Sequence, residues 1–321
     1  MLALQRLWLE EDIEHDLRWS YQVKSILHTG RSDFQDVELV DTGPFGKVLL
    51  LDGKLQSAER DEFVYHECLV HPALLAHPNP RTVFIAGGGE GSTAREVLRH
   101  KTVEKCVMVD IDGDVVKFCK EHLEVNKEAF ADPRLELIIG DARSGLEEYD
   151  GKFDVIVGDL ADPVWGNPCY QLYTQAYYEM CKSKLNPGGV LVTQSGPAGV
   201  LSCTEVYTVI NNTLKQVFPK VVPAASHVPS FADTWGWQIA FCDEQTAAAY
   251  DSEAELDRRI AERVTGELQH YDGRCHGCIT ALSKHVRAKL AEEKRVYTME
   301  NPVFIHGAGF NDEKNVDRSG L

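Results

Sequence analysis

The sequence predicts an α/β protein, a doubly wound parallel sheet preceded by a small N-terminal antiparallel β module. From Arg81 onward, apolar runs of strand length alternate with stretches of helical periodicity, the pattern of parallel strands joined by crossover helices. Ahead of Pro80, short strand-like runs follow one another across Gly and Asp turns, as in hairpins. The 321 residues, 43% hydrophobic and 26% charged, suffice for one large domain with a satellite.

Taken in order, the opening MLALQRLWLEED reads as helical or irregular and, interrupted by Arg6 and closed by acids, is unlike a secretory signal. DVELVDTG, GKVLLLDG and KLQSAERD are the hairpin strands, and DEFVYHECLVHPALLAH is a helix that stops before the prolines of PNP. These form a β module with connecting helix over 1–78. The doubly wound domain with a helical C-terminal extension occupies 79–321. Its units are TVFIAGGG with STAREVLRH, KCVMVDID with DVVKFCKEHL, LELIIGDA with a short helical piece, and FDVIVGDL. A loop follows, then YTQAYYEMCKSKL ending at NPGG, and VLVTQ. After GWQIAFCD the propensity is helical, and the charged face of SEAELDRRIAERVTGELQ is a solvated one.

A formal charge of −17 repels nucleic acid and anionic membranes and draws in a cationic small molecule. No apolar run approaches the roughly 20 residues of a membrane helix, so neither nucleic acid nor membrane is an expected partner. Nine scattered cysteines suggest reduced thiols and a cytoplasmic location. Cys275 and Cys278, in CHGC, lack a second ligand pair and are read as structural or incidental.

Ligands of doubly wound sheets bind beyond the carboxyl ends of the strands. There the loop GGGEG, with Gly87, Gly89 and Gly91, permits a tight turn and close approach of a ligand. The dinucleotide fingerprint fails, because its sixth position is Ser92 and Glu90 would repel a pyrophosphate. Asp110 closes the next strand at the distance of a ribose ligand, Asp141 the third, where it can accept from an adenine amino group, and Asp159 the fourth, with Asp162 three positions on. Any one of these acids alone is as readily a turn residue or helix cap. Together they describe a nucleoside held by sugar and base with no phosphate, as a sulfonium nucleoside would be. No metal-ligand cluster is evident.

The runs GGGEGSTAREVLRH, MVDID, GDA and GDLADP closely resemble the aminopropyltransferases, the spermidine and spermine synthase family. The resemblance covers nearly the whole chain, including YQVKSILH, LLLDGKLQSAERDEFVYHE and VPSFADTWGWQIAF. It is strongest toward plant-type thermospermine synthases, through GDLADPVWGNPCYQLYT, QSGPAG and VYTMENPVFIHG. It implies a Rossmann-like fold of the class I methyltransferase type and transfer of an aminopropyl group from decarboxylated S-adenosylmethionine, a co-substrate, to a polyamine. Neither a permanently bound cofactor nor a metal is implied.

By position, Asp159 resembles the proton acceptor and Tyr65 its catalytic companion. Gln22, Gln56, Gly87, Gly89, Glu90, Gly91, Asp110, Ile111, Asp141 and Ala142 fall on the co-substrate side, with Glu90 facing the aminopropyl amine. Tyr65, His66, Asp162, Gln194, Phe231, Asp233 and Trp235 fall on the polyamine side, where Trp235 and Trp237 offer aromatic walls. A neutral His66 ring would bond a secondary amine or backbone. Spermidine synthases usually carry Gln at His66 and Tyr at Phe231, so spermidine is expected as acceptor and thermospermine as product. Spermine or spermidine synthesis stays open, as do a methyltransferase and a non-catalytic polyamine binder. Strand edges in the β module suggest a homo-oligomer, dimer or tetramer.

Overall fold

The computed structural model describes residues 7–14, 17–248 and 252–305. The first sheet is antiparallel, with strands β1 (Leu7–Glu14), β2 (Leu17–Arg31), β3 (Asp36–Thr42), β4 (Lys47–Leu51) and β5 (Lys54–Ala58) in sequence order. The last three are the expected hairpin strands. The opening is not helical or irregular from Leu7 on: β1 pairs with β2 from Leu7 opposite Val23 to Glu14 opposite Leu17. Met1–Arg6 lie outside the described residues. The strand pattern was masked because both faces carry apolar side chains, so hydrophobicity does not alternate. Tyr21 and Val23 pack on Phe45, Val48 and Leu55, whereas Leu7, Trp8, Leu17, Trp19 and Ile26 are exposed.

Helix α1 (Glu62–Ala76) is buried without a break from Val64 to Ala76. A helix apolar all round must be covered on all sides, and α1 lies between the second sheet and an outer layer of helices. Its polar residues are answered. Glu67 accepts the backbone N–H groups of Gln269, His270 and Tyr271 at 2.9, 2.8 and 2.9 Å, and His71 Nε2 lies 3.0 Å from Glu96.

The second sheet comprises β6 (Thr82–Gly87), β7 (Lys105–Asp110), β8 (Leu135–Ile139), β9 (Phe153–Asp159), β10 (Leu185–Pro197), β11 (Lys220–Val228) and β12 (Asp233–Phe241), in the order β11-β12-β10-β9-β6-β7-β8. The connecting helices are α2 (Ser92–Leu98), α3 (Gly113–His122), α4 (Lys127–Ala131), α5 (Ala142–Glu148), α6 (Gln175–Ser183) and α7 (Tyr207–Val217). Strands β6 to β10 pair in parallel, but β12 runs antiparallel to both β10 and β11, so the sheet is mixed. The short link after β11 cannot hold a crossover helix and returns the chain antiparallel between its neighbours. The NPGG stretch lies within β10, where the ladder to β9 shifts register between Leu185 and Val190. Helices α8 (Glu244–Ala248), α9 (Glu253–Arg263), α10 (Gly273–Thr280) and α11 (Lys284–Glu292) complete the C-terminal part. No helix among the described residues is long and apolar enough to cross a membrane.

Strand order reverses between β6 and β9, and the crevice at such a switch point receives the ligand. Gly87, at the end of β6, has φ +80°, and a Cβ there would meet the Asp159 carbonyl oxygen at 2.1 Å. The Gly88 N–H donates to that same carbonyl at 3.0 Å. Gly87→Ala is therefore expected to destabilise the protein by at least about 2 kcal/mol. Gly43→Ala, where a Cβ meets nothing within 4 Å, is the control and stays within about 0.5 kcal/mol. Urea midpoints of the two variants check this.

Candidate active site at the carboxyl rim of the sheet

Asp159 is delivered by β9 to the centre of the rim. Its Oδ1 accepts from Tyr65 Oη of α1 at 2.9 Å and its Oδ2 from Thr93 Oγ1 of α2 at 2.6 Å. Each oxygen keeps a lone pair for a further donor. Burial, then the Asp159 charge, holds the Tyr65 phenol well above its ordinary value, so it remains a donor.

On one side, Asp110 accepts from the backbone N–H groups of Gly89 at 2.9 Å and Asp112 at 2.8 Å. A Cβ at Gly89 would come within 2.7 Å of the Asp110 carboxylate, so close approach of loop to acid requires glycine. Ile111 beside it is 46% exposed, an apolar surface flanking the crevice. Asp141 caps α5, accepting from the backbone N–H groups of Arg143 and Ser144, and Ala142 is buried behind it. The helix-cap reading of Asp141 thus holds in the structure.

Glu90 lies at the far end of the glycine loop, which Gly91 closes as the N-cap of α2. It accepts from the Ser57 and Ser92 hydroxyls, and burial pushes its carboxyl up from the ordinary value. His66 Nε2 stands 3.5 Å from it. The His66 ring bonds backbone, one of its two expected roles, and a carboxylate besides: Nδ1 contacts the Glu62 carbonyl at 2.8 Å and the Glu62 carboxylate at 2.7 Å. Burial opposes charging, but Glu62 and Glu90 outweigh it and push the ring up to about 9. Gln56 and Ser57 of β5 share a cleft with Tyr65, His66 and Phe231. Gln22 is half-buried on β2, opposite Trp8.

On the other side, burial pushes Asp162 up to about 6, opposed by a bond from Gln194 and aided by the charge of Glu11. The Gln194 amide nitrogen also reaches the Leu160 carbonyl at 2.9 Å and Tyr173 Oη at 2.6 Å. Gln194 therefore fixes the loop that presents Asp162. Asp233 is engaged with the Ser202 hydroxyl and the Thr234 N–H. Tyr65, Phe231 and Trp235 form a contiguous aromatic wall, with ring centroids 5.7 Å apart for Tyr65–Phe231 and 4.7 Å for Phe231–Trp235. Trp237 is no part of that surface; it is fully buried in the core against Tyr65.

Glu11, Ser57, Glu62 and Thr93 were not singled out from the sequence. Thr93 follows the glycine loop directly, and Glu62 stands one helical turn before His66, so both had a local signal. Glu11 and Ser57 come from the first sheet and are brought to the rim only by tertiary packing.

Residues 62–252 match the Spermine/spermidine synthase domain, and residues 7–59 match the Spermidine synthase tetramerisation domain. Thermospermine synthase ACAULIS5 of Arabidopsis thaliana is 56% identical over 94% of this chain and 88% of its own length. A polyamine aminopropyltransferase of Sulfolobus acidocaldarius is 43% identical over 88% of this chain and 93% of its own. Spermidine synthase from Thermotoga maritima superposes with a TM-score of 0.78 at 26% identity, over 91% of this chain and 97% of that one. A spermidine synthase in complex with the transition-state analogue AdoDATO superposes at 0.81 with 27% identity, over 91% and 99% of the two chains. The chain belongs to the spermine/spermidine synthase family.

Proposed function

We propose that the protein transfers the aminopropyl group of decarboxylated S-adenosylmethionine to spermidine, releasing methylthioadenosine and thermospermine. The observation that carries this reading is Asp159 held between Tyr65 and Thr93 at the midpoint of a rim whose two wings are acidic. Asp110 meets the ribose, Asp141 and Ala142 the adenine beside Ile111, and Glu90 the aminopropyl ammonium, with Gln22 and Gln56 completing the co-substrate side. An alkylammonium has a pKa of roughly 10 and arrives protonated. Asp159 takes that proton, and Tyr65 orients the freed amine for in-line attack on the carbon beside the sulfonium. The new C–N bond forms as the C–S bond breaks, and its electron pair leaves on a neutral thioether. The proton passes from Asp159 to water.

Glu62, His66 and Glu90 bring potential ligand atoms within 4.8 Å of one another. Glu62 is already engaged by His66 Nδ1 and by Arg95 Nη2 at 2.8 Å, so we assign Glu90, and not the imidazole, to ammonium recognition. No permanently bound cofactor enters the reading. Free thiols at all nine cysteines suit a cytoplasmic protein. The exposed apolar side chains of β1 and β2 lie in the region matched to the tetramerisation domain, and we place contacts between copies of the chain there.

Asp162, Phe231 and Trp235 receive the acceptor. Spermidine gains over putrescine by its extra methylenes, each worth up to about 0.8 kcal/mol, and by one more ammonium. With both amines at equal concentration, tetraamine product is expected to exceed triamine. Excess triamine would make the protein a spermidine synthase. If tetraamine dominates, His66→Gln is expected to move the ratio toward triamine.

The ionised form of Asp162 is the one that binds an ammonium. A carboxyl pushed up to about 6 is ionised above that pH and protonated below it. KM for spermidine is thus expected to be flat above about pH 6 and to rise by up to about tenfold per unit below it. Asp162→Asn raises KM and removes the slope. Steady-state assays from about pH 5 to 8 at saturating co-substrate read both.

A further inference from the structure

Two runs that stand out in the sequence, GDLADPVWGNPCYQLYT and VYTMENPVFIHG, meet at the acceptor side of the rim. The first supplies the loop after β9, in which Asp162 stands. The second is anchored at Tyr297, which is fully buried, donates its N–H to Thr213 Oγ1 of α7 at 2.8 Å, and accepts from the Gln175 N–H of α6 at 2.9 Å. A turn closed by the Asn301 N–H on Thr298 Oγ1 at 3.1 Å then leads into Pro302–Ile305. There the Ile305 N–H donates to the Pro163 carbonyl at 3.0 Å, one residue from Asp162. Phe304 meets Trp165 edge to face with ring centroids 5.2 Å apart, and Tyr170 at 5.7 Å. Trp165 is 59% exposed even with that ring beside it. Ile305 Cδ1 lies 3.4 Å from where a Cβ on Gly196 would stand, and the Gly196 N–H donates to Gln194 Oε1 at 2.8 Å. The segment thus touches both things that fix Asp162: its own loop, and the β10 turn that aims Gln194, whose amide nitrogen lies 3.0 Å from the Asp162 carboxylate.

We propose that Pro302–Ile305 is a strap that holds the Asp162 loop ready for the polyamine, with Phe304 as a positioning residue for acceptor binding. This rests on the reading of Asp162 as a ligand of the acceptor ammonium. An exposed loop that is free before binding must be ordered during it, and that ordering opposes affinity; a strap removes the cost by ordering the loop beforehand. The effect is confined to the acceptor. Asp159, Tyr65 and Thr93 are held by one another. Asp110 and Asp141 are held by backbone N–H groups of their own neighbourhood. Loosening the strap therefore leaves the reacting groups and the co-substrate side in place.

The test compares the full chain with Phe304→Ala, Trp165→Ala, the double variant and Phe304→Tyr. At saturating co-substrate, Phe304→Ala is expected to raise KM for spermidine about 3- to 10-fold, the worth of an aromatic pair, while kcat stays within about twofold. Trp165→Ala should act alike, and the double variant should fall short of the product of the two single effects, as side chains in contact do. Phe304→Tyr keeps the ring and the parental KM. Methylthioadenosine affinity, read by calorimetry, is expected to be unchanged throughout. Amide hydrogen exchange of the ligand-free protein gives a readout that needs no substrate: in Phe304→Ala it should quicken over 161–172 and stay at the parental rate in β9 and the glycine loop. An unchanged KM for spermidine in Phe304→Ala, an equal loss of methylthioadenosine affinity, or unchanged exchange in the loop overturns the proposal. Asp162→Asn tells two failures apart. If it raises KM while Phe304→Ala does not, the strap is wrong and the reading of the acid stands; if neither does, both fall.

Discussion

Asp159→Asn is expected to lower kcat at least about hundredfold, the floor usual for loss of a general base. The amide keeps the shape of the carboxylate, and the Tyr65 and Thr93 hydroxyls can rotate to suit it. The glycine loop is tied to the backbone carbonyl of Asp159, not to its side chain, so the loop stays in place. Asp110 and Asp141 have their own donors and do not lean on Asp159. Affinity for methylthioadenosine should therefore stay within about threefold of the parent, while the amide cannot take a proton from the acceptor ammonium. Single-turnover rates and calorimetry separate the two quantities. A variant keeping more than about a tenth of the parental rate would remove Asp159 from the role of base.

Glu90→Gln should weaken decarboxylated S-adenosylmethionine by about 10- to 150-fold, the worth of one hydrogen bond to a charged group at roughly 1.5–3 kcal/mol. Methylthioadenosine carries no ammonium and should lose less than about threefold. The contrast arises because Glu90 is buried and raised, with only hydroxyl donors and the edge of His66 to answer its charge. Intact S-adenosylmethionine, whose carboxylate that charge repels, should gain relative to the parent. Calorimetry with all three ligands decides. Equal weakening of the first two would place Glu90 in a purely structural role.

Asp159 was legible because it closes a run of buried apolar residues. Val155, Ile156 and Val157 are fully buried, and the chain becomes polar only where β9 leaves the sheet. The same logic located Asp110 on β7. It could not find β1 and β2, whose apolar residues occupy both faces of the first sheet. Nor could it anticipate the antiparallel return of β12, which follows from the length of a link and not from the strand's own residues. The charge of His66 was within reach, since Glu62 and His66 are spaced to pair on one helix face. What could not be read locally was Glu90 on the opposite side of the ring, whose charge adds to the Glu62 hydrogen bond in raising it. Glu11 reaches Asp162 only through the packing of the first sheet on the rim.

The most direct measurement is product analysis of one reaction containing the protein, decarboxylated S-adenosylmethionine and spermidine, on a column that resolves the two isomeric tetraamines. Methylthioadenosine and thermospermine are expected in equal amounts, and both should fall together in Asp159→Asn. Spermine in place of thermospermine would contradict the choice of attacking nitrogen. Methylthioadenosine without any tetraamine, or a methylated product formed only from intact S-adenosylmethionine, would contradict aminopropyl transfer itself.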